Sequence, residues 1–155
     1  MTTELEKAQY RGYMLGALVF GMTYGVWDIM EESATALTPT IGKMQLPMMQ
    51  DLLDMKVEGQ NATDLLKVIG VMFTEKLDWG SGYEVTAKDK IVSLTLTDGL
   101  ATDEIEGMLS QGMKFFSHPV LCAGVEALAR AGVKCRPSLS ADSAKKTQTI
   151  SFELL

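Results

Sequence analysis

The longest apolar stretch of the chain lies near its N-terminus, at residues 13–27. Two glycine pairs accompany it, Gly12 with Gly16 and Gly21 with Gly25. In a helix the members of each pair share one side, and the second pair lies roughly opposite the first. Glycine in a helix interior costs about 1 kcal/mol relative to alanine. Four of them predict a central helix that neighbours approach closely on two sides, shared between a domain core and a partner subunit.

This first helix is expected to cover residues 4–36 and to end at the Leu-Thr-Pro-Thr segment 37–40, because proline disfavours helical backbone in the residue before it. A second helix is predicted around residues 47–55. A third is indicated by apolar side chains at spacings of three and four, which form one helical face. These residues are Leu65, Leu66, Ile69, Met72 and Phe73.

Alternation of apolar and polar residues then predicts β-strands. The predicted strands are residues 83–86, 92–97, 133–139 and 149–154. Two helices are expected between the two strand pairs, one beginning at Thr102 and one beginning at residues 117–119 and ending at Gly132. The sequence therefore predicts a single α+β domain over residues 1–155, in which about four antiparallel strands form a sheet packed against helices.

The composition excludes some classes of function. The net charge of −6 argues against a nucleic-acid-binding module, which normally carries a basic patch. The apolar run is shorter than the roughly 18 to 20 residues of a membrane span, and the N-terminus lacks the pattern of a signal peptide. We therefore expect a cytoplasmic protein without a membrane span. Eleven methionines suit either an adaptable apolar pocket or a core that uses methionine in place of leucine.

The order of elements and several motifs resemble the superfamily that contains the 4-vinyl reductase domain and the small α+β subunits of TRAPP tethering complexes. Residues 11–16, Arg-Gly-Tyr-Met-Leu-Gly, are similar to its glycine-bearing first helix. Residues 79–85, Trp-Gly-Ser-Gly-Tyr-Glu-Val, resemble the segment that leads into its first hairpin, and residues 121–128 with the hairpin ending at 149–152 resemble its closing helix and hairpin. The resemblance spans most of the chain. It implies a dimeric α+β fold with an apolar pocket that binds hydrocarbons, acyl chains, phenols or tetrapyrrole-like molecules.

Zinc-binding members of this superfamily use a cysteine on the late helix, a Glu-Val-Glu-Cys-like segment on the next strand and a further cysteine beyond the turn. Here Cys135 has no acidic pair before it, and the last strand has no cysteine. On spacing alone, His118 and Cys122 share a helix face, and Cys135 could lie near the level of Cys122. These three residues are candidate zinc ligands, but they match no standard zinc pattern, so we expect no cofactor.

Aromatic and methionine side chains are the candidates for lining an apolar ligand pocket. Trp79 is the best placed, because it stands where the third helix meets the predicted sheet. For each candidate the alternative is a purely structural role in the core or in a dimer contact. The candidates are Tyr24, Trp27, Met48, Met72, Phe73, Trp79 and Phe116.

The leading hypothesis is a homodimeric module that binds a small apolar or amphipathic molecule between the glycine-rich helix, the third helix and the sheet. One alternative is a structural assembly subunit of the TRAPP type. Another is an accessory or catalytic component of a reductase or hydrolase, for which the sign would be His118, Cys122 or Cys135 exposed in the cavity. No phosphate-binding loop, Gly-x-Ser-x-Gly elbow or nucleophile-base pair is recognisable, so no residue is predicted to be catalytic.

Overall fold

The computed structural model describes residues 3–155, which divide into two compact units, one ending at Ala34 and one running from Thr35 to Leu155. The first unit contains helix α1 (Glu4–Met30), which continues into a 3-10 segment (Glu31–Ala36). The helices of the second unit are α2 (Leu37–Leu53), α3 (Ala62–Val71), α4 (Thr102–Ser110) and α5 (Pro119–Arg130). Its strands are β1 (Gly82–Lys88), β2 (Ile91–Thr97), β3 (Cys135–Asp142) and β4 (Thr147–Leu154).

Helix α1 begins at a capping box and leaves most of its surface exposed. The Glu6 backbone N–H donates to Thr3 Oγ1 at 3.2 Å, and the Thr3 backbone N–H donates to Glu6 Oε2 at 2.7 Å, which satisfies two N–H groups at the helix start. Thr23 is the one buried residue of this helix. Eleven of its large apolar side chains are exposed, and Ile29 has the largest exposed fraction, 85%. Among the described residues, a helical stretch within Glu4–Leu53 is long and apolar enough to cross a membrane, a property shared by core helices and signal sequences.

The four glycines of α1 are the positions at which the sequence predicts close approaches of neighbours. A Cβ atom built at any of them would meet no described neighbour within 4 Å; they are Gly12, Gly16, Gly21 and Gly25. The predicted close contacts of these glycines with the domain core and with a partner subunit stay predictions.

The predicted break at residues 37–40 is wrong. The α-helical geometry of α1 ends at Met30, Glu31 adopts a φ of 48°, and α2 begins at Leu37 rather than near residue 47. Pro39 lies in the first turn of α2, where backbone N–H groups have no acceptor within the helix, so its missing N–H costs no hydrogen bond.

The sheet confirms the predicted α+β class, with four antiparallel strands in the order β1-β2-β4-β3. Val92, Leu94 and Leu96 point into the core, where Ile150 and Phe152 of β4 join them. The opposite face carries paired hydroxyl groups, and serine and threonine oxygens of β2 and β4 lie 2.8 and 3.1 Å apart. This alternation allows helices to cover one face while the other stays polar.

Three glycines in the helices of the second unit mark close approaches. A Cβ atom at Gly42 of α2 would collide with the Cys122 carbonyl oxygen of α5, and one at Gly70 of α3 would collide with the Tyr83 ring of β1. Gly124 of α5 lies directly against the Phe152 ring. The core residues of α3 therefore pack tightly against β1 and β2, and α5 packs between α2 and the sheet.

Candidate functional site

A cavity of about 590 Å³ lies beside β3 and β4, at the end of α4 and the loop that precedes α5. Its apolar lining includes Leu109, Phe115, Phe116, Leu121 and Leu139. Ligand pockets of proteins typically measure about 300–1,000 Å³ and are mostly apolar with a few polar groups. The cavity therefore has the size and lining of a site for one small organic molecule.

Polar groups occupy another part of the same lining. The side chains of Lys114, Arg136 and Glu153 carry its charges, and Thr38 and Ser138 supply hydroxyl groups. Arg136 Nη1 lies 3.1 Å from Glu153 Oε2, with both side chains well exposed, so the pair contributes little to stability. The lining therefore offers charged and hydroxyl groups that can interact with a polar group of a ligand.

The loop before α5 is held by the backbone carbonyl of Phe116. Thr38 Oγ1 donates to this oxygen at 2.8 Å from the start of α2, and Cys122 Sγ donates to it at 3.3 Å from α5. The neighbouring Phe115 ring meets the His118 ring edge-on, with centroids 6.0 Å apart. The two phenylalanines of the cavity wall are thus fixed by contacts to two helices rather than left on a mobile loop.

His118 is buried and joins α5 to β4 through hydrogen bonds. The Leu100 carbonyl can only accept, so the Gln148 atom that lies 2.8 Å from it is Nε2, which also lies 2.9 Å from Thr102 Oγ1. Gln148 Oε1 then faces His118 Nε2 at 2.9 Å, so Nε2 carries the proton. His118 Nδ1 is unprotonated and accepts the Leu121 N–H at 3.4 Å, which caps α5.

Burial lowers the pKa of His118 from 6.5 to about 4, although the hydrogen bond to Gln148 acts in the opposite direction. A protonated Nδ1 would face the Leu121 N–H with a second donor, which is a further reason for the neutral form. His118 is therefore a neutral structural residue at physiological pH.

The two cysteines are not activated nucleophiles. Cys122 is fully buried, and burial raises the pKa of its thiol to about 12. Cys135 is half-buried on β3, and burial raises the pKa of its thiol as well. A thiol reacts as the thiolate, so both groups are mostly in the unreactive form near neutral pH.

The predicted metal ligands are not assembled in the structure. Within residues 3–155, no three side chains of histidine, cysteine, aspartate or glutamate come together as a metal-binding group. His118 Nε2 and Cys122 Sγ instead hydrogen-bond to Gln148 and to the Phe116 carbonyl. None of His118, Cys122 and Cys135 lines the cavity described above.

The predicted pocket residues are distributed over several places, and Phe116 is the one that lines this cavity. Met72 and Phe73, which directly follow α3, are buried in the hydrophobic core and do not line this cavity. Met48 lies on the outside of α2 with 68% of its surface exposed, and there it lines a second, open apolar hollow of about 880 Å³. On α1, Tyr24 is exposed and Trp27 is half-buried.

Trp79 packs edge-on against Phe73 and His118, with ring centroids 6.0 and 6.3 Å away. Its Nε1 is a buried nitrogen without a hydrogen-bond partner in the described part of the chain. Such a group costs about 1–3 kcal/mol. Trp79 thus belongs to the packing around His118 and does not line the cavity.

Several cavity residues had no recognisable signal in the sequence. Leu109 and Leu139 read only as apolar positions of a helix and a strand, and Arg136 reads as a charged residue on a polar strand face. Gln148 precedes the predicted last strand, and nothing in the sequence pairs it with His118. Only the tertiary arrangement of β3, β4 and the loop before α5 brings these residues to their places.

No protein-family model matches this chain, and no curated protein sequence matches it significantly. The resemblance to the 4-vinyl reductase and TRAPP superfamily therefore stays a prediction that depends on the motifs quoted above. A fold class by itself does not specify a function, so the function is inferred from the geometry of the cavity.

Proposed function

We propose that this protein is a binding module for one small amphipathic molecule, held in the cavity beside β3 and β4. The observation that carries the proposal is the size of about 590 Å³ together with the lining by two phenylalanine rings and several leucines. Burying apolar surface supplies about 25 cal/mol per Å², so such a lining favours a hydrocarbon or aromatic body.

The polar part of the lining narrows the class of ligand. Lys114 and Arg136 line the cavity together with the hydroxyl-bearing residues Thr38 and Ser138. A ligand with a carboxylate, sulfonate, phenol or other hydrogen-bonding end would place that end here and its apolar body against Phe115 and Phe116. Binding rather than turnover is proposed as the activity.

We propose a homodimer of the 4-vinyl reductase and TRAPP type that works in the cytoplasm without a resident cofactor. The quoted motifs and the order of helices and strands support this. No observation favours the reductase or hydrolase alternative, because His118, Cys122 and Cys135 lie outside the cavity lining.

A second candidate, an assembly subunit, is favoured by the exposed apolar surface of α2. Met44, Met48 and Leu52 are spaced four apart and are 67, 68 and 77% exposed. Such a row on a helix is typical of a protein contact. Co-purification of a partner protein in fixed stoichiometry, lost on Met48→Asp, would support this function, whether or not the cavity binds a ligand.

The ligand proposal is tested with anilinonaphthalene sulfonate, an anionic aromatic probe whose fluorescence rises in apolar sites. We expect saturable binding of one probe per chain. Leu109→Trp places a larger side chain in the cavity wall and should weaken binding by about tenfold or more. Native mass spectrometry and solvent extraction of the purified protein should in addition reveal a retained apolar molecule.

Leu52→Trp is the matched control, because Leu52 lies on the exposed face of α2 and outside this cavity. It should leave probe binding unchanged. If Leu52→Trp weakens binding and Leu109→Trp does not, the probe occupies the surface of α2 and the proposed cavity function is wrong.

A further inference from the structure

One face of α1 has a strict heptad spacing. Its positions alternate in steps of three and four, which is the pattern of a coiled-coil seam. We refer to this set as the heptad face: Arg11, Met14, Leu18, Gly21, Gly25 and Asp28. All six residues are exposed, and Met14 and Leu18 are 72 and 58% exposed.

The buried and half-buried positions of α1 lie on the opposite side of the helix. They are Gly16, Phe20, Thr23, Val26 and Trp27. At about 100° per residue, these positions centre on the side facing away from Leu18 and Gly21. None of these buried or half-buried positions belongs to the heptad face, whose six residues are all exposed.

We propose that the heptad face binds the same face of a second copy of this chain, with the two α1 helices antiparallel. Read in one direction, the face presents a cation, two large side chains, two glycines and an anion. Reversing the partner places Arg11 opposite Asp28, Met14 opposite Gly25 and Leu18 opposite Gly21. A two-fold axis midway along this segment makes each contact twice, as an isologous interface requires.

This arrangement places large side chains against glycines and positive charges against negative ones. Each large side chain fills the space that a glycine leaves, and the two glycines, which meet no described neighbour within 4 Å, gain one. A parallel pair would instead set Asp28 against Asp28 and Arg11 against Arg11, and would leave a void between facing glycines. The Arg11–Asp28 contacts lie at the two ends of the interface, where charge fixes direction more than affinity.

A second copy fits this face better than a lipid bilayer does. The uncharged segment between Arg11 and Asp28 has 16 residues. At 1.5 Å per residue it is about 24 Å long, so a helix spanning the roughly 30 Å hydrocarbon core of a bilayer would also have to include the charged Arg11 and Asp28. Pairing large with small side chains is also unnecessary for contact with lipid.

This inference specifies the interface of the homodimer proposed above and rests on that dimer, but not on the ligand. The first test is sedimentation equilibrium of the full chain, which should give twice the 16.9 kDa chain mass. Leu18→Glu introduces two buried carboxylates into the interface and should weaken dimerisation by ~100-fold or more. Leu5→Glu, the same substitution at a 70% exposed position on the far side of α1, should leave the dimer intact.

Disulfide trapping tests the direction of the helices. In a chain carrying Cys135→Ala, with the buried Cys122 kept, oxidation of a mixture of Met14→Cys and Gly25→Cys proteins should cross-link the two variants. Neither variant alone should cross-link through its new cysteine.

Different failures have different meanings. A monomer at every concentration overturns both the dimer and this interface, and if that monomer also co-sediments with phosphatidylcholine vesicles, the face is a lipid contact. A dimer that survives Leu18→Glu, or that cross-links with Met14→Cys alone, overturns the antiparallel interface and leaves the proposed dimer standing.

Discussion

Lowering the pH from about 7.5 to about 4 should remove the contribution of the neutral His118 to stability. The folded protein holds the pKa of this imidazole at about 4, against 6.5 for an ordinary histidine. The folded pKa is below the unfolded one, so the unfolded chain binds the proton more tightly. The contribution is fully present above about pH 6.5 and is lost as the pH falls from there towards 4. The difference between the two pKa values corresponds to about 3 kcal/mol of unfolding free energy.

The assay is urea unfolding of the wild type and of His118→Asn across this pH range. Asparagine can still cap α5 through its side-chain oxygen but does not titrate. The chain has one histidine, and both proteins share all carboxylates, so the difference in their unfolding free energies isolates His118. That difference should shrink by about 3 kcal/mol between about pH 7.5 and 4.

The single imidazole signal in proton NMR provides an independent measurement of the same pKa. In the folded protein it should keep its neutral chemical shift down to about pH 5. An imidazole that titrates near pH 6.5, or a free-energy difference that does not change with pH, would refute the buried, neutral assignment and the network with Gln148.

Two further predictions concern packing and thiol reactivity. Gly42→Ala should lower the unfolding free energy by about 2 kcal/mol, because its Cβ would collide with the Cys122 carbonyl, whereas Gly107→Ala in α4, where a Cβ meets nothing within 4 Å, should raise it by about 0.5–1 kcal/mol. Urea unfolding measures both, and equal effects would contradict the close α2–α5 contact. A thiol reagent should modify Cys135 in the native protein much faster than Cys122, whose pKa is about 12. In denaturant the two cysteines should react at equal rates. Fast native labelling of Cys122 would show that α5 is not packed as described.

The parts of the fold that the sequence predicted well are those decided by near neighbours in the chain. Alternation alone identified β2, because Val92, Leu94 and Leu96 all face the core. Asn61, a residue type that favours helix starts, caps α3 by accepting the Asp64 N–H at 3.0 Å. Short-range chemistry is sufficient for such features because turns, caps and strand faces depend on only a few adjacent residues.

Predictions that needed tertiary information failed or were incomplete. Pro39 was interpreted as a helix break, but it lies in a first turn, and its position relative to a helix start cannot be derived from residue type alone. Of the pocket candidates, Phe116 lines the cavity, whereas Met72 and Phe73 fill the core. Apolar residues that line a hollow and apolar residues that fill one have the same sequence pattern, so only the packing distinguishes them.

The β1-β2-β4-β3 order has a consequence for the route by which the chain folds. The outer strands β1 and β3 each pair with the next strand along the chain through a short turn. The central β2–β4 pairing instead joins residues such as Ser93 and Ser151, which are 58 positions apart. Closing so long a loop carries an entropic penalty before any contact compensates for it, and distant pairings slow folding. The two hairpins can therefore form early, and the joining of one to the other, with α4 and α5 spanning the gap, becomes the slow event that completes the molecule.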